Sequence, residues 1–272
     1  MGVLLALMLL VVSVGVASAE SPNGTLSGWV LRSDGTVEAL GQAHMGNFEG
    51  QGRAVAIAAP ADQLGYYLVS DTGDVGSHGT VAELASPLTG MSLAQPVVDA
   101  TIPTDGGLLL AARDGGVFAL GGARFRGSLG SIELDQPVTG IAAAPGGYWL
   151  VAADGGVFAF GDAPFLGSLP AVAPGVTLAA PIVDIVATPS GKGYWLLGAD
   201  GGVFAFGDAP FLGSIPAGNA LSQIDWRRMV ASGTNAYVLV GSDLELAGFN
   251  VLVGTFGLTG DVVDVAYELS LP

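Results

Sequence analysis

The sequence has no cysteine and very few basic residues. Its 272 residues include no Cys, 2 His, and only 8 Lys and Arg against 24 Asp and Glu. Without cysteine there can be no disulfide framework, no thiol nucleophile and no thiolate metal ligand. The formal net charge of -16 argues against nucleic-acid binding, because neutralising phosphates requires clustered Lys and Arg.

Motifs that carry catalysis or bind cofactors are also missing. There is no pair of histidines four residues apart, no G-x-S-x-G elbow, no phosphate-binding loop and no dinucleotide fingerprint. The two histidines, His44 and His78, lie near glycines in predicted turn or edge positions. The sequence therefore predicts no catalytic residue, no metal ligand and no cofactor, and we expect a protein that is not an enzyme.

The N-terminal segment looks like an export signal. Residues 1–19 have no charged side chain, the run from Val3 to Val16 is almost wholly apolar, and the segment ends in Ala17-Ser18-Ala19. Small residues at these positions fit cleavage before Glu20, and the run is short for a membrane span. We predict a signal peptide over residues 1–19 and a secreted, extracellular acidic product. An uncleaved anchor is the alternative, because the segment before the apolar run has no Lys or Arg.

An internal repeat is the strongest signal in the sequence. Ala153 to Ser168 reads ADGGVFAFGDAPFLGS, and Ala199 to Ser214 repeats it without a change. Weaker copies follow, at spacings of 38, 42, 40, 46 and 43 residues, when the units are anchored on Trp29, Tyr67, Leu109, Trp149, Trp195 and Val238. This period is that of propeller blades.

Each unit is predicted to form four short strands. In the fifth unit these are residues 182–188, 194–199, 203–206 and about 211–215, and Asp200-Gly201 predicts a type I′ turn between the second and third. The strands are apolar at consecutive positions, which indicates burial on both faces. Blades packed between neighbouring blades meet this requirement.

The two ends of the chain are predicted to share one blade. Residues 261–267, DVVDVAY, align with residues 181–187, PIVDIVA, so the chain begins a seventh unit that the N-terminus completes. Such pairing removes free sheet edges. We predict an all-β fold over residues 20–272: a single β-propeller of six four-stranded blades, whose ring is closed by the C-terminal strand.

The repeat resembles one found in a known group of proteins. GYWLVAADGGVFAFGDAPFLGS, residues 147–168, is similar to the tandem repeat of secreted actinobacterial proteins, strongly over about residues 97–215 and weakly in the flanking units. The resemblance implies propeller-like modules. The W-x-x-x-x-D-G-x-V pattern is also similar, more distantly, to tectonin-type lectin blades, which implies carbohydrate binding. One propeller fold hosts many functions, so the analogy identifies no ligand.

Aspartates in the repeated turns are the first candidate binding groups. Asp162 and Asp208 follow the third strands of the two clearest units, where they would ligate Ca²⁺ or accept hydrogen bonds from sugar hydroxyls. The alternative is that each repeated aspartate, including Asp154 and Asp200, accepts backbone N–H groups of its own turn. A further set recurs on the predicted innermost strands, either as a solvated channel lining or as a cation site: Asp99, Asp184 and Asp264.

Aromatic and basic side chains complete the candidates. Phe165 and Phe211 follow Ala-Pro in predicted turns and are candidate stacking platforms for a sugar ring. In the third unit Arg113, Arg124 and Arg126 predict a basic patch for an anionic wall polymer, with solvated loop charges as the alternative.

Taken together, these features predict a secreted, non-catalytic, monomeric binding module for a cell-wall glycan or surface protein. No cofactor is predicted, with Ca²⁺ at Asp162 and Asp208 left open. The rival is an extracellular carbohydrate-active hydrolase or lyase that uses paired carboxylates. A structural fragment of a larger surface protein is the third possibility.

Overall fold

The computed structural model describes residues 25–61, 63–215, 217–232, 236–249 and 261–270. The predicted signal peptide, residues 1–19, lies outside these ranges. The strands are β1 Thr25–Arg32, β2 Val37–Leu40, β3 Ala54–Ala58, β4 Gly65–Ser70, β5 Val75–Gly79, β6 Val97–Thr101, β7 Leu108–Ala112, β8 Val117–Leu120, β9 Val138–Ala144, β10 Gly147–Ala152, β11 Val157–Gly161, β12 Ile182–Ala187, β13 Gly193–Gly198, β14 Val203–Gly207, β15 Trp226–Ser232, β16 Ala236–Gly241, β17 Leu246–Phe249 and β18 Val262–Ser270. A four-residue helix, α1 Leu169–Val172, and a 3₁₀ turn at Ala220–Gln223 interrupt them.

The described strands form six antiparallel sheets of three strands, arranged as blades of a closed ring. Blade 1 contains β18, β1 and β2, and blades 2 to 6 each use three consecutive strands of the chain. The predicted closure is confirmed, because β18 pairs with β1 from Thr25 opposite Ser270 to Arg32 opposite Val262. Each innermost strand contacts the innermost strands of both neighbouring blades, so the six sheets surround one axis. The fold is an all-β propeller with six blades.

Burial on both faces explains the continuous apolar strands. The middle strands of blades 2 to 6 are β4, β7, β10, β13 and β16, and every residue in them is buried. Neighbouring blades cover the two faces, as where the ring of Trp149 lies 5.2 Å from that of Tyr194 in the next blade. The same Tyr194 donates a 2.5 Å hydrogen bond from its hydroxyl to the carbonyl of Gly167 in blade 4. The repeated Tyr-Trp pair therefore connects adjacent blades.

The glycine that begins the second strand, as in β4 and β10, is required by strand pairing. A Cβ on Gly147 would lie 2.0 Å from the carbonyl oxygen of Phe160 on β11, and one on Gly65 would lie 2.2 Å from that of His78. Both contacts are far below any real Cβ contact. The repeat has glycine at this position because the first residue of the second strand packs directly against the backbone at the end of the third strand.

In the described ranges, the predicted fourth strand is not formed. In blade 5 the segment 211–215 has no strand pairing, and its one backbone contact to the hairpin is the bond from the Ile215 N–H to the Gly201 carbonyl. Pro210 lacks an N–H donor, and Gly207 and Gly213 have φ values of 66° and 134°, which interrupt an extended run. The outer segment therefore covers the blade edge without joining the sheet.

The turn between the second and third strands also differs from the prediction. A type I′ turn needs positive φ at two residues, but Leu244 is the one non-glycine residue with positive φ in the described ranges. In this turn of blade 5, residues 199–202, only Gly201 has a positive φ, at 83°, and its N–H bonds to the Gly198 carbonyl. Asp200 accepts the N–H of Gly202 at 3.0 Å, and Asp154 binds Gly156 in the same way, which confirms their predicted role within their own turns.

The described ranges contain little helical structure. Across the described ranges, no helix has both the length and the apolar character needed to cross a bilayer.

Candidate functional site

The ring has two distinct faces. We call the end that carries the turns between first and second strands the inner-turn face, as at Pro145-Gly146 in blade 4. The opposite end carries the turns between second and third strands, such as residues 153–156, and is called the Asp-Gly face. After the third strand, the described outer segments of blades 1 to 5 return from the inner-turn face to the Asp-Gly face, where the Leu169 N–H bonds the Gly155 carbonyl in blade 4.

Asp162 and Asp208 lie on the inner-turn face of adjacent blades, and both are exposed. The Asp208 carboxylate accepts hydrogen bonds from the hydroxyls of Thr188, at 2.9 Å, and Ser190, at 2.6 Å. These bonds hold the pKa of Asp208 below its usual value. The N–H of Asp162 bonds the Gly146 carbonyl. In the described ranges, no three His, Asp or Glu side chains form a group that could hold a metal ion, so Ca²⁺ at these aspartates stays a prediction.

Phe165 and Phe211 lie on the outer edges of blades 4 and 5, where they are 59% and 62% exposed. Each follows a proline whose carbonyl accepts the indole N–H of the blade's own tryptophan, at 2.8 Å in both blades. Sequence reasoning missed a third member, Phe125, which holds the same place in blade 3 and is 58% exposed. The alignment of GGARFRGS, residues 121–128, with GDAPFLGS contains this signal. Three consecutive blades thus present one phenylalanine each.

The three arginines of blade 3 do not form one patch. Arg124 and Arg126 follow β8 at the inner-turn face, and each has a nitrogen 3.7 Å from the Asp105 carboxylate. Arg113 follows β7 in the turn at the Asp-Gly face, at the opposite end of the same sheet. The side chain of Arg124 is 72% exposed.

The aspartates of the innermost strands converge on the axis, as the sequence predicts, but they do not line a solvated channel. Asp99, Asp184 and Asp264 are each only 6% exposed, because the side chain of Arg228 from β15 fills the space between them. The Arg228 Nε lies 2.6 Å from Asp264, and its two terminal nitrogens lie 3.5 Å from Asp99 and 3.8 Å from Asp184. The prediction of a solvated lining is therefore wrong, and the cation at the centre is a guanidinium.

These four residues, which we call the axial cluster, occupy equivalent positions in their blades. In all six blades the innermost strand shifts register by one residue, and the next residue faces the axis. Aspartate stands there in blades 1, 3 and 5, whereas blades 2, 4 and 6 have Ala56, Gly140 and Arg228. Sequence reasoning missed the role of Arg228, although the sixth unit places it in register with the three aspartates.

Burial dominates the acid–base behaviour of the axial cluster. Desolvation raises the pKa of Asp99 to about 7 and that of Asp184 to about 6, and the positive charge of Arg228 opposes both shifts. Burial also raises the pKa of Asp264. Desolvation acts against the charged form of Arg228, but the three carboxylates outweigh it and raise the pKa of the guanidinium.

A depression opens above the axial cluster on the inner-turn face. This axial cleft has a volume of about 490 Å³ and is lined by the innermost strands of blades 1, 2, 3 and 6 and by the turn after β3. Its floor includes Ile57, Ala100, Met229 and Val265, each the next residue after an axis-facing position. The polar side chains among its described lining residues are Gln42, Gln63 and Thr101. Its volume lies in the range of small-molecule pockets.

Comparison with known proteins bears on the fold and not on the function. No protein-family model matches the chain, and no curated protein matches it. Among solved structures, the computationally designed Ika8 protein is 14% identical with a TM-score of 0.52, over 93% of this chain and 82% of that one. YCF48 from Cyanidioschyzon merolae is 13% identical over 74% of this chain and 68% of its own, with a TM-score of 0.45. The likeness to Ika8 concerns the fold alone, and the similarity to YCF48 is too low to support a conclusion.

Proposed function

We propose that the protein is an extracellular, non-catalytic binding module for a glycan of the cell surface, which it contacts through the outer edges of blades 3 to 5. The observation that carries this proposal is the recurrence of one exposed phenylalanine at the same place in three consecutive blades: Phe125, Phe165 and Phe211. Large aromatic rings are normally buried, so three phenylalanines exposed at equivalent positions indicate a binding role rather than a packing role.

The surroundings of these rings suit a sugar. An exposed aromatic face stacks against the C–H face of a pyranose, while nearby carboxylates accept hydrogen bonds from its hydroxyls. Asp162 and Asp208 lie three residues before Phe165 and Phe211, and both are exposed. Three weak sites on one ring bind a repeating polymer more tightly than one site, because each bound unit raises the local concentration of the next.

The carboxylates argue against the rival hydrolase or lyase. A general acid needs a raised pKa, whereas hydrogen bonds from Ser190 and Thr188 lower that of Asp208. In the described ranges, the carboxyl groups with raised pKa values are those of the axial cluster, and Arg228 and the surrounding strands shield them from substrate. Binding without chemistry is the function that this arrangement supports best.

The proposal is tested by changing all three phenylalanines to alanine. We expect F125A/F165A/F211A to bind isolated cell walls and purified wall polysaccharides at least about tenfold more weakly, since each stacked ring contributes about 0.5–1.5 kcal/mol. Binding is measured by co-sedimentation, and the supernatant is assayed for released sugars.

A matched control changes three exposed aliphatic residues toward the Asp-Gly face: I132A/V172A/V176A. This control should bind like the unchanged protein. Equal binding by the phenylalanine variant, or a loss confined to the control, would contradict the proposal. Release of sugars by the unchanged protein would favour the hydrolase.

A protein partner is the second candidate, favoured by the axial cleft. The cleft combines mostly apolar side chains with exposed polar atoms, a mixture that suits an inserted segment of a protein. Ala59→Trp would fill the cleft from a half-buried position, and Ala171→Trp on α1 is the matched exposed control. If a surface protein is the partner, Ala59→Trp alone should abolish its capture. If the ligand is a glycan held at the outer edges, both variants should bind equally.

A further inference from the structure

The axial cluster links the six blades in pairs. Asp264 of blade 1 accepts the Ile57 N–H of blade 2, Asp99 of blade 3 accepts the Ile141 N–H of blade 4, and Asp184 of blade 5 accepts the Met229 N–H of blade 6, at 2.7, 2.9 and 2.8 Å. Arg228 then contacts all three carboxylates. One guanidinium therefore joins three pairs of blades, including the pair that contains the closing strand β18.

The charges of the axial cluster do not balance when every carboxyl is ionised. Three carboxylates surround one guanidinium, which leaves two uncompensated negative charges in a site shielded from water. Of the six innermost strands, β6, β12 and β18 contribute the aspartates and β15 contributes the arginine. The axis-facing residues of β3 and β9 are Ala56 and Gly140, so neither strand adds a charge. Buried charge of this kind is compensated by a cation or by protonation.

The hydrogen bonds identify the carboxyl that is least compensated. Asp264 accepts two backbone N–H groups and the close Nε–H bond of Arg228, and Asp184 accepts two backbone N–H groups. Asp99 accepts one, from Ile141, and its contact with Arg228 is long at 3.5 Å. Each hydrogen bond to a carboxylate favours its ionised form, so Asp99 has the weakest support for a negative charge.

We propose that the axial cluster is a buried proton-binding site, in which Asp99 takes up a proton that stabilises the closed ring. The ligand is a proton because the space between the carboxylates is already filled by the guanidinium. Protonation of Asp99 leaves its second oxygen free to accept the Ile141 N–H, so the link between blades 3 and 4 persists.

Stability should therefore rise on acidification through the neutral range. The pKa of Asp99 is about 7 in the folded protein, against an ordinary value of 3.8, so between these values the folded state holds a proton that the unfolded state has released. The stabilisation is fully present below about 3.8 and is lost as the pH rises through about 7. Asp184, with a pKa of about 6, adds to the same trend.

The test compares thermal unfolding of the unchanged protein and Asp99→Asn from pH 5 to pH 8. The melting temperature of the unchanged protein should fall by roughly 5 to 10 °C over this range. Asn carries no charge and retains an acceptor oxygen, so Asp99→Asn should lose most of this fall and melt at least as high at pH 8. The control Asp208→Asn removes an exposed carboxyl whose pKa is lowered, and it should keep the full fall.

A second measurement uses the unchanged protein alone, so it does not depend on whether a variant folds. Infrared spectra of the unchanged protein in D₂O should show the C=O stretch of a protonated carboxylic acid at pH 5.5, which disappears by about pH 8. A melting temperature that is flat or rises with pH, an equal fall in Asp99→Asn, or a spectrum without a titrating acid band in this range would overturn the proposal.

Discussion

Replacing Arg228 with methionine should lower the free energy of unfolding by about 3 to 5 kcal/mol at pH 8, because three buried carboxylates then lose their counter-charge. Methionine replaces only the aliphatic part of the arginine side chain, so the loss also includes the packing of the guanidinium, and its pH dependence identifies the electrostatic part. The expected loss is smaller at pH 5.5, where the carboxyls of Asp99 and Asp184 can take up protons. Urea unfolding followed by tryptophan fluorescence at both pH values measures the difference.

The neighbouring arginine provides a matched control on the same strand. Arg227 pairs with Asp225 at the surface, where their side chains are 39% and 50% exposed. Exposed ion pairs contribute about 0.2–1 kcal/mol, so Arg227→Met should change little at either pH. Equal losses in the two variants, or an Arg228→Met loss that does not depend on pH, would show that the axial cluster does not stabilise the ring electrostatically.

Changing Gly147 to alanine should have the second largest effect, about 2 to 4 kcal/mol of lost stability. The added Cβ would lie 2.0 Å from the Phe160 carbonyl oxygen and 2.8 Å from the Ala163 nitrogen, so β10 and β11 would have to separate. The melting temperature should fall by roughly 2–4 °C for each kcal/mol lost. Differential scanning calorimetry measures this fall.

Gly122→Ala is the control for this change. Gly122 is exposed, its φ is not positive, and the nearest atom to an added Cβ lies 3.6 Å away. Alanine there should be neutral or slightly stabilising, since it restricts the unfolded chain. If Gly147→Ala melted like Gly122→Ala, strand pairing would not explain the repeated glycine.

The sequence was sufficient to predict the ring but not the outer edge of its blades. The repeat period and the alignment of residues 261–267 with residues 181–187 predict six blades and their closure, because both depend on patterns repeated along the chain. In blade 5 the absence of a fourth strand depends on Pro210 and on the φ values of Gly207 and Gly213; blade 3 has Arg124 in place of the proline but keeps the positive φ values at Gly121 and Gly127. Local backbone geometry of this kind outweighs the apolar pattern that predicts a strand at residues 211–215.

The axial cluster shows a different limit of sequence reasoning. Asp99, Asp184 and Asp264 were identified from their repeated position, but their environment depends on Arg228, a residue that departs from the repeat. A solvated lining was expected because nothing in a single unit shows what lies across the axis. Contacts between blades join residues dozens to hundreds of positions apart, such as Ile57 and Asp264, and only the closed ring brings them together.

The candidate binding residues were predicted in part. Phe165 and Phe211 were found through the exact repeat, whereas Phe125 follows Arg124 instead of a proline and was missed. Arg113 was grouped with Arg124 and Arg126 because they are close in sequence, although an antiparallel hairpin places them at opposite ends of the sheet. Exposure and face are properties of the assembled blade, so neither follows from sequence spacing.

The most direct test of the proposed function is an NMR titration of protein with ¹³C-labelled phenylalanine rings by a soluble cell-wall polysaccharide. The chain has 11 phenylalanines, and single Phe→Leu variants assign the signals of Phe125, Phe165 and Phe211. We predict that the ring signals of these three shift together as polysaccharide is added, while those of the other phenylalanines stay in place. Two results would contradict a binding surface on the outer edges of blades 3 to 5. One is a set of shifts confined to other rings, and the other is no shift at a polysaccharide concentration at which co-sedimentation shows binding.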